Sequence, residues 1–498
     1  MELNRIPPEV LSLILRQLLE HQDPDCNYEE SRIHYGHLRN ARLVCRQWNE
    51  LATPHLFWSL TLDAHPDDGM WLKPIPFLHL INNEAIQRAV QNVVIQTHPE
   101  DRDTEHDADD EEVCTWATGD DDLDAPGGLF SVAVGGIARL PNLKALQISF
   151  TEGCLGDRQH GWWEDDDESE SISRRLDMLR MVFGAIQKRR AANDADRRVS
   201  AIRSLTLKNM QNVPIPDFIS SDLYKDVIKD IDELHLLIAH EYREHGPDHD
   251  LDRIERRTFE PYLQNELLPP LAHQLTSLTL AFRECWGVSP GQFDGKGLVF
   301  PNLRTLTLSD FVIGHNDQFD WVLTQKSLKT LRLDRCFIVS YMRILNSQWD
   351  EWHVPTHDWH EYPEGSFGHE RCRIFAFSGT WETVYDRIRE ELPSLKEFCS
   401  GYNKYYNNFD GRENMGASLS NSRYIVFDSG LCPSPWIEAN DNDSGELSFG
   451  NNDPAVCPRD ASTTKRYGRQ KSLNRAKETQ AGDARAFEDL LRAVRARW

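Results

Sequence analysis

Residues 287–291 read Gly-Val-Ser-Pro-Gly. That is the spacing of a nucleophile elbow, in which a tight strand-to-helix turn lifts a serine toward its substrate. The chemistry needs the residue after the serine to give its backbone N–H to a developing oxyanion. Here that residue is Pro290, which has no N–H, so the spacing predicts a turn rather than a hydrolase. A second concentration of reactive side chains is His353, His357 and His360, followed by His369 and Cys372. Nitrogen and sulfur donors of this kind suit zinc, which takes three or four of them at about 2.0–2.3 Å. Pro355 interrupts the helix that would place His353 and His357 on one face, so the stretch reads as a surface loop. His240, His245 and His249 are a weaker set. Carboxylates are so abundant that pairs of them say nothing about acid–base catalysis. No phosphate-binding glycine loop, dinucleotide fingerprint or kinase motif set occurs. No catalytic residue, metal ligand or cofactor is therefore assigned.

The elements that would hold such residues are those of a large acidic chain. There are 498 residues, with 55 basic and 80 acidic side chains and a formal charge of −25. A field of that sign repels phosphate backbones, so nucleic acid is not an expected partner. The stretch KRYGRQKSLNRAK (465–477) is locally basic, and reads as an import signal or a phosphate-binding tail if it has a role. Ten cysteines are scattered without a Cys-x-x-Cys pair, which fits free thiols in a reducing compartment. The opening residues lack the pattern of a secretory signal. No run of about 18 apolar residues suggests a membrane span. The expected setting is cytoplasmic, nuclear or both, with no membrane partner.

Two amphipathic segments open the chain. Pro7 and Pro8 suit a first helical turn, and Val10, Leu11, Ile14, Leu15 and Leu18 mark one face after them. A polar loop follows at 21–31. A second helix is expected over about His37–Ala52, with Pro54 stopping it.

From residue 60 the rhythm changes to apolar-x-x-Leu-x-Leu. It appears in LPNLKALQISF (140–150), IRSLTLKNM (202–210), IDELHLLIA (231–239), LTSLTLAF (275–282), FPNLRTLTLSDFVI (300–313), SLKTLRLDRCFI (327–338) and LPSLKEFCS (392–400), with shorter matches at 60–62 and 90–96. The leading leucines Leu205, Leu234, Leu278, Leu306 and Leu331 are 29, 44, 28 and 25 residues apart. Each unit supplies one short strand whose leucines are buried only when neighbouring copies stack, as in an irregular leucine-rich repeat. RRLDMLRMVFGAIQKR (174–189) reads as an intervening helix. The acidic stretches 99–124 and 162–170 interrupt the array as solvated, disordered insertions. YIVFDSG (424–430) predicts a strand at 424–428. The C-terminal stripe Phe487, Leu490, Leu491, Val494 and Trp498 predicts an amphipathic helix that docks.

The opening pair resembles an F-box. Ile6, Pro7, Glu9, Val10, Ile14, Leu15 and Leu18 follow the first half of that family's pattern. Arg42, Val44, Cys45, Arg46, Trp48 and Leu51 follow the second, with Phe57 and Trp58 closing the module. Ile6 stands where leucine is usual, and the loop between the halves is long. The resemblance implies a small helical module that binds a Skp-family adaptor and, through it, a cullin scaffold of a ubiquitin ligase. It implies that Ile6, Pro7, Pro8, Glu9, Val10, Ile14, Leu15, Leu18, Val44, Cys45 and Trp48 form or brace that interface. Cys45 would serve there as a small packed hydrophobe and Trp48 as a dominant contact. F-box joined to degenerate leucine-rich repeats is an arrangement found in a large group of fungal proteins, which the chain also resembles.

The expected fold class is thus α/β. It comprises an F-box module (1–60), an irregular leucine-rich solenoid (61–400) with acidic insertions, a closing region (401–440), a polar and basic linker (441–482) and a docking helix (483–498). The expected role is non-catalytic: recognition of a target protein, basic if the acidic insertions meet it, for an SCF-type ligase. The alternative is a leucine-rich scaffold whose first two helices only cap the array.

Overall fold

The computed structural model describes residues 7–20, 36, 38–63, 74–98, 128–155, 169–191, 199–240, 251, 253–366, 369, 371–401, 415–429, 434–438 and 475–498. The described residues fall into two compact units. One holds those up to Met210 together with Asp217–Ile231, and the other holds Gln211–Pro216 and those from Asp232 onward.

The first unit begins with helix Pro8–Glu20 and helix Arg46–Leu56. It continues with strands β1 (Ser59–Asp63), β2 (Asn92–Gln96), β3 (Ala145–Ser149), β4 (Gly153–Leu155), β5 (Ser169–Ser171) and β6 (Ser204–Gln211). β1, β2, β3 and β6 run parallel in that order, with Leu60, Val93, Leu146 and Leu205 in register and Leu62, Ile95, Ile148 and Leu207 two positions on. Parallel neighbours require crossover connections. Here the intervening segments contain helices Pro74–Ile81, Glu84–Ala89, Gly128–Gly135 and Ile172–Ala191. The last is the helix expected at 174–189. It buries Met178, Leu179, Val182, Phe183 and Ile186, whereas Leu176 and Met181 are only half-buried. Phe183 stacks on Tyr224 and meets Phe218 edge-on, joining it to the short helices Pro216–Ser220 and Asp222–Ile228.

The second unit contains β7 (Glu233–Ala239), β8 (Ser277–Trp286), β9 (Thr305–Ile313), β10 (Thr330–Asp334), β11 (Phe337–Leu345), β12 (His360–Glu361), β13 (Cys372–Ala376), β14 (Glu397–Gly401), β15 (Tyr424–Asp428) and β16 (Trp436–Glu438). β7, β8, β9, β10 and β14 are parallel. Leu234, Leu278, Leu306, Leu331 and Phe398 form one buried row, and Leu236, Leu280, Leu308 and Leu333 form the next. The same backbone device opens each strand: two consecutive N–H groups donate to one carbonyl of the preceding strand's lead-in. Thr276 and Ser277 donate to Asp232, Arg304 and Thr305 to Thr276, Lys329 and Thr330 to Arg304, and Lys396 and Glu397 to Lys329, all at 2.7–3.2 Å. The period-2 leucine pattern and this repeated bond set the register together. Cys336, between β10 and β11, donates its thiol toward the carbonyls of Leu308 and Asp334.

From β11 onward the sheet becomes mixed. β11 pairs parallel with β9 and β15 and antiparallel with β13, while β15–β16 and β12–β13 are antiparallel. At its centre Arg343 donates from Nε to Asp428 at 2.7 Å, both fully buried. The terminal helix starts earlier than expected and spans Ala476–Arg495. It packs against helix Trp381–Glu391 through Phe487 on Tyr385, and its buried Asp483 accepts from Arg423, Tyr424 and the Glu382 backbone. Trp498 does not join the stripe and stays 85 % exposed, its indole N–H bonded to the Lys396 carbonyl. Among the described residues no helix is long and apolar enough to cross a membrane.

The acidic stretch 99–124 lies outside the described residues, as does most of 162–170. Glu170 corrects the reading of the latter as a solvated insertion. It is buried in β5 beside Arg175, 3.4 Å away, and accepts from the Thr151 N–H. Arg475 likewise belongs to no free basic tail, because its guanidinium donates to the carbonyls of Phe377 and Gly379. Residues 465–474 lie outside the described residues.

Candidate functional site: the N-terminal helical module

Helix Pro8–Glu20 starts where Pro7 accepts from the backbone N–H groups of Val10 and Leu11 at 3.0 and 3.1 Å. Its apolar stripe is shared between two environments. Leu11 and Leu15, one turn apart, are fully buried. Val10, Leu13 and Ile14, at i, i+3 and i+4, are 44, 61 and 45 % exposed. The module's core consists of Leu15, Leu38, Ala41 and Ala52, with Trp48, Leu51 and Leu56 packed half-buried against it.

The expected continuous helix over about His37–Ala52 is two pieces. Residues 38–42 are helical, 43–44 form a turn, and Cys45 is extended, with φ −164°. Helix Arg46–Leu56 then runs through Pro54 instead of ending before it. The ring removes only one ladder bond near the C-terminal end, and Phe57 N–H closes the last turn onto the Thr53 carbonyl. The break also moves side chains. Leu43 and Val44 sit in the turn and are 84 and 54 % exposed. Polar contacts hold the turn: Arg42 donates to the Asn49 side chain at 2.9 Å and lies over the Phe57 ring, and Thr53 Oγ1 donates to the Asn49 carbonyl.

The site residues named above therefore separate. Pro7, Glu9, Val10, Ile14 and Val44 are exposed, Leu15 is core, and Trp48 braces the core from its edge. Cys45 is exposed, so within this chain it is not the packed hydrophobe expected of it. Ile6 and the side chains of Pro8 and Leu18 lie outside the described residues. Leu13 and Leu43 are outward-facing apolar groups that the sequence reading missed. Leu13 lies off the i, i+4 rows, and Leu43 was assigned to a helix that is not there.

The other sequence candidates resolve differently. Ser289 is buried in a turn, and its hydroxyl has no hydrogen-bond partner among the described residues. Beside it Gly287, at φ +108°, donates its N–H to Glu260 at 3.0 Å. Burial pushes the Glu260 carboxyl up to about 8. Of the histidine run, His353 and His360 are exposed. His369 and Cys372 are buried beside Arg343, and burial pushes His369 down to about 4. His357 instead meets His315 and Asp358. His240 contacts Glu284, and burial pushes it down to about 4; His245 and His249 lie outside the described residues. The six described cysteines are free thiols.

Compared with curated proteins, the chain as a whole matches none. The F-box-like family model matches residues 3–60, the segment of the two-helix module whose Val10, Leu13, Ile14 and Val44 face solvent. Residues 3–60 are an F-box-like domain, a class of domain that binds Skp-type adaptors.

Proposed function

We propose that the chain is a substrate-recognition subunit of an SCF-type ubiquitin ligase, acting without catalysis of its own in the cytoplasm or nucleus. The F-box-like domain tethers it to a Skp-family adaptor and thereby to a cullin. The observation that carries this reading is the apolar surface the module leaves in water. Val10, Leu13 and Ile14 share an exposed helix face, and Leu43 and Val44 are exposed in the turn; an apolar face left in water in this way is suited to a partner. Ile6, Pro7, Pro8, Glu9, Val10, Ile14, Leu18, Val44 and Cys45 are read as contacts, and Leu15 and Trp48 as residues that shape the surface from beneath.

We read the in-register parallel strands as degenerate leucine-rich repeats of the fungal F-box type. Their role is to hold a target so that its lysines meet charged ubiquitin at raised effective concentration. The acidic stretch 99–124 favours a basic target, and such binding weakens as salt rises.

The test is co-purification of the full chain with a Skp-family adaptor, beside a Val10→Asp/Val44→Asp variant. Both side chains are solvent-exposed, so the variant keeps its circular dichroism and melting temperature. Retention by the native chain and loss by the variant is the expected outcome. Equal recovery of adaptor with both, or with neither, overturns the reading and leaves the helix pair as a cap.

A further inference from the structure

His315 and the segment around Asp358 are brought together by the fold of the second unit. His315 is 92 % buried against solvent, and its Nδ1 lies 2.6 Å from Asp358 Oδ1. The other carboxylate oxygen accepts the Asn316 N–H at 2.9 Å, so the aspartate is held in place from two directions. His357 stacks on His315 with ring centroids 4.8 Å apart and planes 10° apart, and its Nε2 is 3.9 Å from the same Oδ1. One ligand atom from each of the three residues lies within 4.8 Å of the others. The remaining nitrogen of His315, Nε2, is buried and has no hydrogen-bond partner among the described residues. Trp359 and Phe377 wall the histidine off on its apolar side.

We infer that His315, His357 and Asp358 form a binding site for a borderline divalent transition metal, of which zinc is the type. Two imidazoles and one carboxylate are the donor set that such ions prefer over magnesium or calcium. Tetrahedral zinc with bonds of about 2.0–2.1 Å sets its ligand atoms about 3.3 Å apart. The 2.6 Å pair must open and the 3.9 Å pair must close, each by less than an ångström, and the two histidine nitrogens, which lie within 4.8 Å of each other, must close by up to about 1.5 Å. Neutral His315 carries one ring proton. Without metal that proton sits on Nδ1 and is donated to Asp358; with the proton moved to Nε2, the Nδ1 lone pair and the carboxylate face the same gap, and the ion takes the place of the hydrogen bond. His357, 59 % exposed at its side chain, leaves the site open for an ion to enter and for a water to complete the coordination.

The test uses the full chain stripped with a chelator and titrated with Co²⁺, which reports nitrogen and oxygen coordination by visible ligand-field absorption. The expected result is a band saturating at one equivalent and bleached by Zn²⁺. His357→Ala and Asp358→Asn each weaken Co²⁺ affinity at least about tenfold, while His353→Ala, at an exposed neighbour, changes nothing. His357→Ala removes a largely exposed side chain, so its melting curve without metal stays native and misfolding does not obscure the reading. No band in the native chain, or a band of unchanged affinity in His357→Ala, overturns the assignment; the second result places the ion on other histidines of the chain.

Discussion

The F-box-like module and the parallel strands of the second unit are both rich in leucine, and they use it in opposite ways. In the strands, Leu278, Leu306 and Leu331 each have an apolar neighbour in register on both sides, and all are fully buried. In the module, four residues form the buried core while Leu13 and Leu43 stand in water. A repeated strand can always bury its leucines on the next copy. Two helices with a broad stripe cannot bury all of it on each other, so the part left over is available to a partner. Burial of leucine is thus complete in one region and partial in the other.

Substitution should separate the two regions. The largest loss is expected from Asp483→Ala, which strands the buried Arg423 guanidinium without its 2.7 Å partner and should cost about 3–5 kcal/mol in chemical denaturation. Leu331→Ala follows, at about 2–5 kcal/mol for a cavity in the leucine row. A melt unchanged by Leu331→Ala would break the contrast drawn here. Leu13→Ala in the module should leave the melting temperature near native and reduce adaptor binding, the reverse of the Leu331 outcome.

A pH experiment sharpens the picture of the second unit. Glu260 has a folded value of about 8 against an ordinary 4.5, and burial is the cause. The folded chain therefore holds a proton that the unfolded chain has released, and this carboxyl's contribution is present at low pH and lost as pH rises through 8. Glu260→Gln should accordingly raise the melting temperature relative to the native chain more at pH 8.5 than at pH 5.5. Equal differences at both values would show that Glu260 is ionised in the fold. The smallest effect is expected from Arg46→Ala: the Arg46–Glu50 pair is solvent-exposed, and its loss should leave the melting curve unchanged.

Much of the strand architecture is legible in the chain itself. Leu-x-Leu marks β6, β7, β8, β9 and β10, because alternation with period 2 is a local property of the chain. The order of Pro-Pro-Glu-Val and Val-Cys-Arg-Gln-Trp likewise marks the F-box-like segment, which the family match bears out over residues 3–60. The fate of individual apolar residues there was not legible. Helical spacing makes Val10 and Leu11 equivalent, and only the packing of Leu15 against Leu38 and Ala52 decides which one faces inward. Nor does spacing reveal that the helix breaks at Cys45.

The sequence by itself determined where strands and amphipathic segments form, since those depend on neighbours a few residues apart. The tertiary structure alone decided which groups meet across long separations. His315 and Asp358 are 43 residues apart, and Asp483 and Arg423 are 60 apart. A charged or titratable residue carries no periodic signal of its partner. Its pairing follows from the register of the strands and the placement of the connections between them, which become physical facts only when the chain has folded.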